Sequence, residues 1–342
     1  MKEILLIQQK IIPEMIELLK KRFDILSNIY YNQPIGRRTL SQELNLGERV
    51  IRTEVEFLKN QGLIEVTPAG MIITKEGEKI LGDLRELIYE INNYKHVEEK
   101  LERFLKIKKV IIVSGDSEKD KTVLKEMGRV CANYVKDLIY DGSIISITGG
   151  TSVAQVVENF PKLNTKGVLV VPARGGFGRD VETQANTLTA NLAKKINANY
   201  RLLHVPDNIS LETLETIANE PEIKEILDIL PKTNILIFGI GRADEMSKRR
   251  GMAKEQIDEL IKKGAVAEAF GYYFNSEGEV VFRTSSIGIN FSDVKNIKNV
   301  VAIAGGKNKA EAIIATKINN PNMVLVTDEA AANEMVNMLS NK

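Results

Sequence analysis

Apolar and polar residues follow three successive patterns along the chain. Up to about residue 83 the apolar positions have helical spacing among many charges, and from Lys109 onward short apolar runs alternate with glycine-punctuated helical stretches. A charged segment, 84–108, joins the two parts, and its apolar residues recur near helical spacing: Ile88, Ile91, Tyr94, Val97, Leu101, Phe104 and Leu105. The patterns predict a small domain over 1–83, an amphipathic connecting or dimerising helix over 84–108, and a large domain over 109–342.

The large domain has the pattern of a parallel sheet covered by helices, an α/β fold. Strands are predicted at Val110–Val113, Ile144–Ile147, Val168–Val171, Leu202–Val205, Ile235–Ile240, Val300–Ala304 and Met323–Val326. Ligands of such sheets bind beyond the carboxyl ends of the strands. The residues that follow each run are therefore the first candidates for ligand contacts.

The small domain contains a helix-turn-helix pattern over 35–52, with a short turn at Asn45-Leu46-Gly47. Its second helix is predicted over about Glu48–Gln61, with Val50, Ile51, Val55 and Leu58 buried and with Arg49, Arg52, Thr53 and Glu56 on other faces. Such a face suits a DNA major groove, where arginine pairs with guanine and threonine contacts a thymine methyl group.

Two short strands around Pro68-Ala69-Gly70 follow and predict a wing over 63–74. The predicted contacts to double-stranded DNA are Arg37, Arg38, Arg49, Arg52, Thr53 and Lys59. Winged helices also mediate protein contacts, so a solvated or partner-binding face remains the alternative.

Composition limits these hypotheses further. The 342 residues are 43% hydrophobic and 27% charged, as in an ordinary globular protein, and the net charge of +1 requires any DNA binding to come from a local basic surface. The lone Cys131 excludes an internal disulfide and a multi-cysteine metal site. Charges run through the first 23 residues, so neither a signal peptide nor a membrane anchor is expected and a cytoplasmic location is predicted.

Two Gly-Gly loops are candidate phosphate sites. Thr148, Gly149, Gly150, Thr151 and Ser152 lie between a predicted strand and a helix, where backbone N–H groups and hydroxyls can hold an anion. Gly305-Gly306 occupies a similar place and is followed by Lys307 and Lys309, between which the spacing does not choose. Together the two loops predict a phosphorylated ligand.

Other residues suit the rest of such a ligand. Arg174, Arg249 and Arg250 could hold a second anionic group, while Gln184 and Glu268 could bind sugar hydroxyls. Catalytic patterns are sparse, because His96 lies in the charged segment, His204 in an apolar run, and no metal-ligand spacing or G-x-S-x-G motif occurs. We therefore expect neither an enzyme nor a cofactor or metal, with Glu268 and Asp244 as the untested acid/base candidates of an enzymatic alternative.

The chain resembles the SorC family of sugar-responsive regulators. The resemblance rests on the winged helix with Pro34-Ile35-Gly36-Arg37-Arg38 and on four motifs of the large domain: Ser114-Gly115-Asp116-Ser117, Thr148-Gly149-Gly150-Thr151, Pro172-Ala173-Arg174-Gly175-Gly176 and the segment 268–274. It implies a sensor domain of the glucosamine-6-phosphate deaminase and ribose-5-phosphate isomerase type, fructose 1,6-bisphosphate as effector, and repression of a glycolytic operon.

The resemblance also implies the effector contacts Thr148, Gly149, Gly150, Thr151, Ser152, Arg174, Gln184, Arg250, Glu268 and Lys309. Ser152 departs from the threonine of a close relative but keeps a hydroxyl. We expect a homo-oligomer, dimer or tetramer, to hold the operator and to release it when the sugar bisphosphate binds. The alternatives are a sugar-phosphate isomerase or amino-sugar deaminase with an added helical domain, and a purely partner-binding protein. The helix over Met1–Phe23 is expected either to pack on the winged helix or to extend the dimer.

Overall fold

A computed structural model describes residues 10–176, 180–205 and 210–340. Contacts divide the chain into two compact units, with the main boundary between His96 and Val97, and residues 119–122 group with the first unit. The boundary falls inside the segment 84–108. That segment was predicted as one helix, but it holds the end of one helix and the whole of the next, with Asn92 and the left-handed Asn93 between them. Among the described residues, no helix is both long and apolar enough to cross a membrane.

The first unit is a helical domain with a β-hairpin. Its elements are α1 (Pro13–Asn32), α2 (Arg37–Glu43), α3 (Glu48–Asn60), β1 (Ile64–Thr67), β2 (Gly70–Ile73) and α4 (Lys75–Ile91). Apolar side chains from all six elements form one core, which includes Ile29, Leu40, Ile51, Met71 and Leu81. The predicted helix-turn-helix and wing are thus built around a common apolar centre.

The hairpin is fixed to the start of α2 by backbone pairing. The amide of Ile35 donates to the carbonyl of Met71 at 3.1 Å, and the amide of Met71 donates back at 2.8 Å. Gly70 has φ +140°, and a Cβ there would lie 2.9 Å from backbone atoms of Ile35. Only glycine allows this close approach, so Gly70 sets the position of the wing.

The second unit is a parallel sheet with helices around it. Its elements as far as residue 200 are α5 (Tyr94–Leu105), β3 (Lys109–Val113), α6 (Lys121–Lys136), β4 (Ile144–Ile147), α7 (Thr151–Glu158), β5 (Leu169–Pro172), α8 (Ala185–Ile196) and β6 (Asn199–Tyr200). They continue with α9 (Leu211–Ala218), α10 (Pro221–Ile229), β7 (Ile235–Gly239), β8 (Gly241–Arg242), α11 (Ala243–Arg249), α12 (Lys254–Lys262), β9 (Ala265–Ala269), β10 (Tyr272–Asn275), β11 (Val280–Arg283), α13 (Phe291–Val294), β12 (Asn299–Ile303), α14 (Ala310–Ala315), β13 (Met323–Asp328) and α15 (Glu329–Ser340).

The main sheet has the strand order β3-β13-β12-β7-β4-β5-β6, and all its pairings are parallel. The predicted α/β sheet is therefore present. Its central strands are almost entirely buried, as expected when helices cover both faces. A smaller antiparallel sheet, β11-β10-β9-β8, follows β7 and was not predicted.

One predicted strand is wrong. Leu202–Val205 is not a strand, and the edge strand β6 is Asn199–Tyr200. The side chain of Asn186 replaces a neighbouring strand at this point, because its Oδ1 accepts from the amide of Leu203 at 3.0 Å and its Nδ2 donates to the carbonyl at 3.1 Å. Leu203 and Val205 are buried, which explains the apolar run without a strand.

Candidate functional site

A cavity of about 190 Å³ lies at the carboxyl ends of β4, β5 and β7 and beside the small sheet. Its lining contains all but one of the predicted effector contacts: Thr148, Gly149, Gly150, Thr151, Ser152, Arg174, Arg250, Glu268 and Lys309. Gly239, Ile240, Gly241, Glu245, Met246, Arg249, Phe270, Asp180, Thr183 and Val153 complete it. Residues from distant parts of the sequence therefore converge on one site, where four cationic and three anionic side chains meet.

The first Gly-Gly loop places the start of α7 at this cavity. Gly150 has φ +118° and precedes the helix, which has no side-chain cap on its first amides. The amide of Gly150 itself donates to the carbonyl of Thr183 at 2.8 Å, and a Cβ on Gly149 would lie 2.7 Å from that same oxygen. The groups of this loop that suit an anion are thus the first helical amides and the Thr151 hydroxyl rather than the Gly150 amide.

Two buried arginines share one buried carboxylate in the cavity wall. Arg250 Nη2 donates to Glu268 Oε1 at 2.8 Å, and Arg174 Nη1 lies 3.7 Å from the same oxygen. The amide of Gly271 also donates to this oxygen at 2.6 Å. Since two cations face one anion at almost complete burial, this cluster carries an excess positive charge that favours an anionic ligand.

Arg174 is held in place from its other side. Its Nη2 donates to Thr284 Oγ1 at 3.0 Å and to Ser286 Oγ. Gly271 and Gly288 leave room for this side chain and its backbone, because a Cβ on either glycine would lie within 2.6 Å of atoms of Arg174. The arginine is therefore oriented before any ligand binds.

The second Gly-Gly loop does not form a phosphate cradle, so this prediction is wrong. The amide of Gly306 donates to Asp328 Oδ2 at 2.7 Å, and the amide of Ser117 donates to the same oxygen at 2.9 Å. A Cβ on Gly306 would lie 2.5 Å from Glu118. Carboxylates of the chain itself thus occupy the place of a bound anion.

The same loop still supplies one cation to the cavity. Lys309 lines it, whereas Lys307 pairs with Glu334 at 3.4 Å and is not among the lining residues. Burial lowers the pKa of Lys309, a shift that Glu245 opposes and Arg249 reinforces. The structure therefore distinguishes the two lysines that spacing left equivalent.

Gln184 is the predicted contact that does not line the cavity. It is the residue immediately before α8, and its backbone N–H donates to the carbonyl of Val181 at 3.3 Å. Its neighbours Asp180 and Thr183 line the cavity instead. The sequence offered no signal for these two residues, because they follow no strand.

The residues of the enzymatic alternative are not arranged as an acid/base pair. Asp244 is absent from the cavity lining and forms an exposed pair with Arg242 at 2.8 Å. Burial raises the pKa of Asp244, but the hydrogen bond from Arg242, the positive charge of Arg242 and two backbone hydrogen bonds together outweigh burial, so the pKa lies below its ordinary value. His204 is exposed, and the described residues contain no cluster of metal-ligating side chains.

In the first unit, all six predicted DNA contacts are exposed: Arg37, Arg38, Arg49, Arg52, Thr53 and Lys59. The first two begin α2, and the other four lie along α3. Val50 was predicted to be buried in the core, and this is wrong, because its side chain is 38% exposed. Glu54 takes the inward position and accepts from Arg22 Nε at 2.9 Å, which joins α3 to α1.

Family models match both units. Residues 18–88 match the model described as "CggR N-terminal DNA binding domain", and residues 89–337 match the one described as "Putative sugar-binding domain". The central glycolytic genes regulators of Priestia megaterium and Bacillus subtilis are 43% and 41% identical to this chain, and each alignment covers 98% of it and 99% of the relative.

Solved structures agree with these matches. A "putative SorC family transcriptional regulator" from Enterococcus faecalis is 41% identical, with a TM-score of 0.66 over 70% of this chain and 99% of that one. The full-length sorbitol operon regulator SorC from Klebsiella pneumoniae shares the fold over 94% of this chain and 99% of its own, at a TM-score of 0.65 and 20% identity. The resemblance and the fold class are thereby confirmed. The chain belongs to the SorC family of transcriptional regulators, with an N-terminal DNA-binding domain followed by a sugar-binding domain.

Proposed function

We propose that this regulator represses glycolytic genes and that fructose 1,6-bisphosphate releases it from its operator. Two relatives above 40% identity bear the name central glycolytic genes regulator and align over nearly the whole chain. The observation that carries the ligand class is the cavity, in which a helix start, two buried arginines and a lysine converge. Such a set suits an anion with more than one charged group.

The cavity offers two anion-binding regions. One phosphate binds at the start of α7, where Thr151, Ser152 and Lys309 supply hydroxyls and a positive charge. The second phosphate binds beside Arg174 and Arg250, whose excess charge it neutralises. A monophosphate would fill only one region, so the proposal favours a bisphosphate. Glu268 remains the proposed contact to sugar hydroxyls, whereas Gln184 does not line the cavity and supplies no contact in the proposal.

The first unit supplies the DNA contacts of the proposal. Arg49, Arg52 and Thr53 lie in the first half of α3, the part of a recognition helix that contacts base edges. Arg37 and Arg38 begin α2 and Lys59 ends α3, where they contact phosphates. The working unit is a homo-oligomer, since helix-turn-helix proteins bind paired half-sites, and it acts in the cytoplasm.

Release requires that the ligand prefer the state that does not bind DNA. Binding of the bisphosphate changes the association of subunits, and operator affinity falls by linkage. No catalytic step is part of the proposal, because Glu268 is engaged by two arginines and a backbone amide.

Thermal unfolding tests the ligand. At about 100 times its Kd, a ligand of the folded state adds about 2.7 kcal/mol, which corresponds to a rise of about 5 to 10 °C in Tm. We expect this rise with fructose 1,6-bisphosphate, less with fructose 6-phosphate, and its loss in Thr151→Ala. The control is Thr216→Ala, an exposed threonine of α9 whose hydroxyl donates to the carbonyl of Glu212. An unchanged Tm with every sugar phosphate would refute the proposed ligand.

A further inference from the structure

The exposed Val50 is an unexpected feature of the recognition helix. It is the third residue of α3, and Gly47 caps the helix immediately before this turn. The core side of the helix is formed by Ile51, Val55 and Leu58, with Glu54 between them and bound to Arg22. Val50 therefore belongs to the outward surface of the first turn, the region that contacts bases in helix-turn-helix complexes.

Thr53 lies next to Val50 on this surface, because residues three apart on a helix are neighbours. The Thr53 hydroxyl donates to the carbonyl of Arg49 at 3.0 Å, inside the helix. The hydroxyl hydrogen is thus already engaged, and the methyl group is the apolar part of this exposed side chain. Val50 and the Thr53 methyl form a small apolar patch beside Arg49, because Thr53 lies one helical turn from both residues.

An apolar patch in the major groove has one specific counterpart on DNA. The thymine 5-methyl group is the apolar feature of base edges there, whereas cytosine, adenine and guanine present hydrogen-bonding groups. We propose that Val50 is a specificity-determining residue that contacts a thymine methyl group in the operator. The inference rests on the proposed function, in which α3 enters the major groove, and adds a base preference that the arginines cannot supply.

The test removes methyl groups from the DNA one at a time. Duplexes are selected from a random library with the full-length protein, and the selected duplex is remade with deoxyuridine in place of each thymidine in turn. Loss of one buried methyl group should weaken binding of the wild type about fourfold at one or more positions. Val50→Ala should bind the thymidine and deoxyuridine duplexes equally at such a position.

The matched control is Val280→Ala, because Val280 is a similarly exposed valine, 44%, in β11 of the second unit. It should keep every uracil penalty of the wild type, and both variants should keep the wild-type Tm. If Val50→Ala retains the penalty at every position, or if the wild type shows none, the inference is wrong while the proposed function stands. If the wild type selects no duplex at all, the proposed function fails and this inference fails with it.

Discussion

Removing the charge of Glu268 should destabilise the second unit substantially. This side chain is only 6% exposed and accepts from Arg250 at 2.8 Å and from the amide of Gly271 at 2.6 Å, with Arg174 3.7 Å away. Breaking a buried ion pair from one side costs about 3 to 5 kcal/mol. The side-chain oxygen of glutamine can still accept from the backbone N–H of Gly271. The free energy of unfolding of Glu268→Gln should therefore fall by the lower end of this range, about 3 kcal/mol.

Thermal unfolding in the absence of ligand measures this cost. For a domain of this size, a loss of about 3 kcal/mol lowers Tm by about 6 to 12 °C. Glu259→Gln is the control, because Glu259 pairs with Lys263 at 2.6 Å on the exposed face of α12. Breaking an exposed pair costs about 1 kcal/mol or less. If Glu268→Gln lowers Tm no more than Glu259→Gln does, the two buried arginines do not depend on this carboxylate and the reasoning is refuted.

Three further predictions concern charge. Lys309→Ala should lower affinity for fructose 1,6-bisphosphate in isothermal titration calorimetry, whereas Lys307→Ala should not, since only Lys309 lines the cavity; equal losses would contradict the assignment. Affinity for the bisphosphate should fall as pH rises through the lowered pKa of Lys309, because the ligand prefers the ammonium form, and Lys309→Arg should abolish this fall below pH 10.5. Between the lowered pKa of Lys309 and its ordinary value of 10.5, the free protein should gain stability as pH rises, since the unfolded chain binds more protons than the folded one. Lys59→Ala should reduce the slope of log affinity against log salt by about one, because the proposal places Lys59 on a phosphate. Arg201→Ala, at an exposed arginine of the second unit that pairs with Glu225, should leave the slope unchanged; an unaltered slope for Lys59→Ala would contradict the phosphate contact.

Local patterns predicted most of the fold. The apolar runs predicted as strands at Ile235–Ile240 and Met323–Val326 correspond to strands that are almost entirely buried, so their sequence reports the strand directly. The failure at Leu202–Val205 has a different origin, because a single side chain, Asn186, satisfies the backbone there. The small antiparallel sheet escaped prediction because β8 has two residues and β9, Ala265–Ala269, is mostly alanine.

Side-chain partners far away in sequence limited the prediction of the site. Gly306 follows a strand and precedes a helix, as Gly150 does, yet Asp328 and Glu118 occupy its anion position. Nothing near Gly306 in sequence indicates those carboxylates. Val50 was mispredicted for a similar reason. It borders the apolar stripe of α3, but the buried position next to that stripe is filled by Glu54, whose partner Arg22 lies on another helix.

Operator titration in the presence and absence of saturating fructose 1,6-bisphosphate joins ligand binding to DNA release in one measurement. Fluorescence anisotropy with the selected duplex gives the Kd under both conditions. We expect the bisphosphate to weaken operator binding by the wild-type protein at least about fivefold, the lower range of allosteric coupling. The operator Kd of Thr151→Ala should be the same with and without the bisphosphate. An operator Kd that is the same with and without saturating ligand would contradict the proposed release.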